Sequence, residues 1–183
     1  FVVEAQRIAS ARYPDITNGD YTVIIDQRQY DRIQAMLADA VAKGARAINL
    51  CPGQQGDRAR RILPPHAVLG VTDDMAIMQQ EIFGPLLPIR TYRSETEVVE
   101  YIGSRPRPLA LYLYTNASRL QDFYLNNTIS GGVTVNDGLL HAGVHGLPFG
   151  GTGNSGMGHY HGLEGFLTFS KLRPVFKQSR WRS

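Results

Sequence analysis

One cysteine, Cys51, stands among 183 residues, so no disulfide can close within the chain. A lone thiol fits a reducing, cytoplasmic setting. Long apolar runs are also missing, and nothing approaches the roughly 18 consecutive apolar residues of a membrane helix. Charge of one sign is scarce: the formal net charge is +3. Basic residues crowd only in the tail, at Lys171, Arg173, Lys177, Arg180 and Arg182. That run reads as a solvated strand, because no interleaving of aromatic and basic residues continues past Trp181, and no nucleic-acid partner is expected. The N-terminus, FVVEAQRIASARYP, lacks a basic region followed by a cleavage site and is not read as a signal peptide. It reads as the middle of a helix, with Val2, Val3, Ala5, Ile8 and Ala9 on an apolar face, as if the chain began inside something larger.

What is present is ordinary for a folded protein. With 43% hydrophobic and 19% charged residues, wholesale disorder is excluded. The length suits one substantial domain, with or without a small appendage. QRQYDRIQAMLADAVAKG places Tyr30, Ile33, Leu37, Ala40 and Val41 at helical spacing, with Gly44 as the stop. A strand over Ala45 to Leu50, a turn-rich excursion CPGQQGDRARR, the stretch HAVLGV and a helical DDMAIMQQ follow. From Leu86 the series is strand LLPIRTY, helix SETEVVEYIGSR, strand LALYLYT, helix NASRLQDFYLNN and strand GGVTVN. Ser94 with Glu97 makes a capping box, and Asn116 is the expected cap of the next helix. Strands alternating with amphipathic helices predict the α/β class: an open, mostly parallel sheet flanked by helices. A glycine- and histidine-rich loop, a short helix near GLEGFL and a last extended stretch, TFSKLRPVF, complete the chain.

GTGNSG, Gly151 to Gly156, fits the glycine pattern of a dinucleotide fingerprint. Such a fingerprint needs a buried strand before it, a helix opening at its last glycine, and an acidic residue about twenty positions later. LPF precedes it, the next acid is Glu164, and none follows, so a tight loop is the better reading. Ser155 is out of register for a hydrolase elbow. His141 and His145 lack the intervening Glu of a zinc helix, and His159 and His161 have no carboxylate or thiol at ligand spacing, so no metal is expected. Cys51 lies at a strand end before a proline with no base in view, and reads as structural. QEIFGPLLPI leaves two readings open. If Glu81 and Phe83 point the same way, one can accept ribose hydroxyls and the other can pack on a flat ring; otherwise the stretch is a helix end with a hydrophobic plug.

Taken together, MQQEIFGPLLPI, LALYLYT, SGGVTVND and LPFGGTGNSGMGHYHGLEGFLTFS resemble, in wording and order, the aldehyde dehydrogenase superfamily, in its C-terminal part. GNSGMGHYHG is most similar to the class 3 and coniferyl aldehyde dehydrogenase branch. The resemblance implies the catalytic-domain fold over residues 1–158 and a short helix with an oligomerisation strand over 159–183. It implies NAD or NADP as cofactor, an aldehyde, aromatic in kind, as substrate, and a homodimer through the C-terminal strand. Glu81 and Phe83 would contact the nicotinamide-side ribose and ring. Phe149 would line the substrate tunnel, Asn136 would shape the loop behind the active cysteine, and His141 and His145 would offer polar contacts to the aldehyde. The family's nucleophilic cysteine, general-base glutamate and oxyanion asparagine would precede Phe1, so the chain alone is expected to be inactive. Two rivals remain: an inert truncated module acting in binding or assembly, and a self-sufficient dinucleotide binder using Gly151 to Gly156.

Overall fold

The computed structural model describes residues 1–178, in two compact units that divide between Thr91 and Tyr92. Arg180, Trp181 and Arg182 of the basic tail lie outside the described residues.

The first unit runs α1 (Val2–Arg12), α2 (Gln27–Ala42), β1 (Arg46–Asn49), β2 (His66–Leu69), α3 (Ala76–Gln79) and β3 (Leu86–Ile89). Asp26 starts α2 by accepting a hydrogen bond from the Gln29 N–H at 2.7 Å. Gly44 follows its C-cap with φ +97°, the left-handed backbone that glycine adopts without a Cβ penalty. The buried stripe of α2 is Tyr30, Ile33, Met36 and Ala40; Met36 was not expected there, and Val41 is half exposed. This stripe packs on Val68, Met75, Ile77 and Leu86 to form the main core, where each aliphatic side chain contributes about 1.5–3 kcal/mol by burial.

The sheet order is β1-β2-β3. β2 and β3 are parallel, with His66 opposite Leu86. β1 is antiparallel to β2, with Arg46 opposite Leu69. The segment between β1 and β2 folds as a turn pinned by an Asp57–Ile62 bridge instead of a crossover helix. Gln54 ties that excursion to the chain before α2: its Oε1 accepts from the Ile16 N–H at 2.6 Å and its Nε2 donates to the Tyr13 carbonyl at 2.8 Å. Beneath it Ile16, Cys51 and Ile62 make a second core cluster. The apolar face expected on α1 is not buried, since the helix has no buried residue.

The second unit contains α4 (Glu95–Gly103), β4 (Ala110–Leu113), α5 (Ser118–Asn127), β5 (Gly132–Val135), α6 (Leu140–Gly143), a 3-10 turn at Gly153–Ser155 and α7 (Gly162–Thr168). β4 and β5 pair in parallel, Ala110 opposite Gly132, with α5 as the crossover. Half of the expected capping box forms as drawn: Ser94 Oγ accepts from the Glu97 N–H at 3.3 Å. The Glu97 carboxylate reaches one residue further back, to the Arg93 N–H at 2.9 Å. Asn116 does not cap α5. The N-cap is Ala117, whose N–H is taken by Thr115 Oγ1 at 3.2 Å, while Asn116 Oδ1 accepts from Asn136. The expected extended stretch TFSKLRPVF begins inside a helix, because Thr168 belongs to α7, and residues 171–178 join no ladder within the chain. No helix among the described residues is long and apolar enough to cross a membrane.

Candidate functional site

In the first unit the backbone turn after α3 is held from the side. Arg32, on α2, donates from Nη1 to the Glu81 carbonyl at 2.9 Å and from Nη2 to the Ile82 carbonyl at 2.7 Å. Its Nε is braced by Gln29 Oε1 at 2.7 Å. A planar guanidinium suits this two-carbonyl grip better than an ammonium would. Phe83 takes φ +46°, uncommon for a residue with a Cβ, and its ring is 80% exposed. A Cβ at Gly84 would run into Ile33 Cδ1, so a larger residue there would force Ile33 to move. Glu81 is exposed as well. Phe83 also borders an apolar hollow of about 580 Å³ lined by Tyr13, Tyr21, Ile24, Ile25 and Leu63. An exposed carboxylate can accept from ribose hydroxyls, and an exposed ring two residues on can pack against a flat heteroaromatic ring.

In the second unit, five histidine and aromatic residues of the glycine-rich loop gather, His141 among them lying against β5. Phe149 pairs with Tyr160 as an isolated antiparallel bridge, its N–H donating to the Tyr160 carbonyl at 2.8 Å and its own carbonyl accepting at 2.9 Å. The bridge stacks Phe149 on His161, ring centres 5.9 Å apart and planes 23° from parallel. His141 lies 5.9 Å from Phe149 on another side, and His145 lies 6.1 Å from His161. His141 is 9% exposed; its Nδ1 meets Thr134 Oγ1 at 2.7 Å, while its Nε2 is enclosed without a partner. Gly132 makes room for that ring, since a Cβ there would strike the imidazole. His145 is exposed. Asn136 is not part of the cluster: it sits just past β5 at φ +58° with its carboxamide engaged by Thr115. Arg32 and His161 carry geometry that the sequence did not single out. Their signal lies in backbone carbonyls and a positive φ, neither of which is written in residue type.

The glycine run folds as the tight loop expected. Gly153–Ser155 is a single 3-10 turn, closed by the Ser155 hydroxyl on Thr152, and the next helix starts only at Gly162. Gly151 lies against the Ser155 carbonyl, leaving no space for a Cβ. Without a helix opening at Gly156 there is no helix N-terminus for a pyrophosphate. Cys51 is 0% exposed, and burial pushes its thiol up from the ordinary range, so it is neither reachable nor activated. Among the described residues no group of three metal-ligating side chains comes together.

Comparison with known proteins agrees with this layout. The model of the aldehyde dehydrogenase family matches residues 3–175. A probable coniferyl aldehyde dehydrogenase of Caulobacter vibrioides is 46% identical over 97% of the chain, and coniferyl aldehyde dehydrogenase of a Pseudomonas species is 46% identical over 98%. The chain covers 37% and 38% of those two proteins, so it spans little more than a third of their length. Among solved structures, substrate-bound AldH of Staphylococcus aureus superposes with a TM-score of 0.85 at 37% identity, over 97% of this chain and 38% of that one. An aldehyde dehydrogenase of Mycobacterium tuberculosis complexed with NAD+ gives 0.76 at 25% identity, over 89% and 33%. With a family match over nearly its whole length, the chain belongs to the aldehyde dehydrogenase family.

Proposed function

We propose that this chain is the C-terminal part of an NAD(P)-dependent aldehyde dehydrogenase that oxidises an aromatic aldehyde of the coniferyl kind to its carboxylic acid. The observation that carries the reading is the turn at Glu81 and Phe83, fixed from behind by Arg32 and open in front. Glu81 would accept hydrogen bonds from the ribose of the nicotinamide half of the cofactor. Phe83 would pack against the ring. When bound, the cofactor supplies the hydride acceptor. Similarity to an enzyme complexed with NAD+ and to a dimeric NADP-preferring aldehyde dehydrogenase of dog supports a nicotinamide cofactor of either form.

Phe149, His141 and His145 would form a wall of the aldehyde tunnel, and Asn136 would shape the loop behind the reacting cysteine. That cysteine cannot be Cys51, which is buried and held as a thiol. In this reading the nucleophile, and with it the general base and the oxyanion donor that the family resemblance places upstream, come from outside residues 1–183, so the chain alone is expected to be inactive. In this reading residues 1–158 complete the catalytic domain, and 159–183 serve assembly of a homodimer. Exposure of Phe166, Phe169, Val175 and Phe176 supports an assembly role, and it also favours the rival reading of an inert binding module. A cytoplasmic location agrees with the lone cysteine.

The test is to express the longest reading frame that contains this chain, and the 183-residue chain by itself, and to follow reduction of NAD+ and NADP+ with coniferyl aldehyde. Turnover by the long form alone is expected. Turnover by the short chain would overturn its assignment as a non-catalytic portion, and turnover by neither would favour the binding module.

A further inference from the structure

We infer that His161 is a specificity-determining residue, presenting its Nε2–H to an oxygen substituent on the ring of an aromatic aldehyde. This rests on the reading of the Phe149 cluster as the aldehyde wall. Three independent features of His161 converge. Its backbone is held at φ +83° and ψ 145°, a region that non-glycine residues seldom occupy and that persists where the surroundings impose it. Those surroundings are visible: Tyr160 is fixed by the bridge to Phe149, and Gly162, at φ +52°, lies so close to the His145 carbonyl that a Cβ would come within 2.6 Å of it. The imidazole stacks on Phe149 at 5.9 Å and meets Tyr160 edge-on at 4.7 Å, the two rings also touching each other at 5.6 Å.

The third feature is the state of the ring nitrogens. Nδ1 is enclosed with no hydrogen-bond partner. An enclosed N–H without an acceptor is the rarer orphan, so the tautomer with its N–H on the accessible Nε2 is the favoured one. Nε2 is neither enclosed nor bonded to a described residue. The result is one oriented donor at the edge of a stack of rings. His141 does not offer the same, because Thr134 takes one of its nitrogens and the other is enclosed. His145 is exposed and meets His161 at 6.1 Å, without the Phe149 and Tyr160 contacts that hold His161. A flat aromatic ring would lie along the Phe149 face, and a hydroxyl or methoxy oxygen on it would meet the Nε2–H. A site built around one such donor discriminates against the analogue lacking the oxygen, since the donor is then left unpaired.

The experiment compares coniferyl aldehyde with cinnamaldehyde, which has the same carbon frame without ring oxygens, on the full-length enzyme that contains this chain. His161→Phe is expected to lower kcat/KM for coniferyl aldehyde roughly tenfold, chiefly through KM, and to change that for cinnamaldehyde by less than about twofold. His161→Gln, which keeps a donor, should restore part of the loss. His161→Gly suits the left-handed backbone and carries the same comparison should the Phe variant fail to fold. Equal losses on both aldehydes, or no loss on either, would overturn the inference. A wild-type enzyme that oxidises neither would instead overturn the functional reading beneath it, and the inference with it.

Discussion

Asn136 extends the β4–β5 ladder by one rung with its side chain. Its Oδ1 accepts from the Thr115 N–H at 2.8 Å and its Nδ2 donates to the Thr115 carbonyl at 3.1 Å, while its own N–H donates to the Leu113 carbonyl at 2.7 Å. The positive φ of Asn136 is what turns the carboxamide back onto the neighbouring strand.

Replacing Asn136 by Ala removes all three side-chain bonds, two to Thr115 and one to Asn116 Oδ1, and leaves a Cβ residue at φ +58°. Because Gln121 Nε2 also serves the Thr115 carbonyl at 2.8 Å, the unserved group is the Thr115 N–H. A loss of roughly 1–2 kcal/mol is expected in urea unfolding of the chain, with Asn136→Gly less damaging by several tenths.

Gly84→Ala is expected to destabilise by about 1–3 kcal/mol, because the new methyl meets Ile33 Cδ1 in a packed core. Ile33→Val removes that Cδ1 and alone costs about 0.5–1.5 kcal/mol. The double variant should be more stable than the sum of the two losses. Strict additivity in the unfolding midpoints would show that the contact is not the cause.

Arg32→Met deletes the grip on the Glu81 and Ile82 carbonyls while keeping the length of the stem that lies along α2. In the full-length enzyme the expected result is an increase in KM for the nicotinamide cofactor of about tenfold, with kcat less affected. An unchanged KM would mean that the turn holds itself.

His66 lies on β2 with its Nδ1 2.7 Å from the Pro64 carbonyl. Burial drives its pKa below the ordinary histidine value, and the Pro64 contact only partly opposes this. The folded state thus binds the proton less readily than the unfolded chain. The contribution is complete above about pH 6.5 and is lost as pH falls through the lower folded pKa. Melting temperature should fall on acidification below that point, and His66→Gln should flatten the dependence. An identical slope in the variant would assign it to other groups.

Cys51, with no exposed surface, should resist a thiol reagent in the native chain and react promptly in denaturant. Cys51→Ala should leave turnover of the full-length enzyme intact while lowering stability by about 1–2 kcal/mol. Lost turnover in a folded variant would return Cys51 to the list of reacting groups.

The alternation of strands and helices was legible because period-two and period-3.6 patterns report which face of an element meets a core. This is why α2, α4, α5 and the strands β1, β3, β4 and β5 stand where the pattern put them. Local capping was only half legible. Ser94 caps α4, but Asn116 lost its place at α5 to Thr115 and Ala117, because its side chain was drawn to Asn136, twenty residues away. The antiparallel β1 was not legible, since strand direction depends on how the excursion before β2 folds and not on β1 itself.

By itself the sequence determined the family, through four motifs in order, and the placement of Glu81, Phe83 and Phe149 within them. It also favoured a tight loop over a dinucleotide cradle for GTGNSG, since the strand before the run, the helix opening at its last glycine and the acid about twenty positions later are not in the string. Tertiary structure alone decided that Arg32 holds the turn carrying Glu81 and Phe83, that Cys51 is sealed in a core, and that His161 packs against Phe149 and Tyr160 with one nitrogen enclosed. The physical reason is that residue type states what a side chain can donate, accept or bury. Which partner it meets, and at what backbone angle, is set by segments tens of residues away.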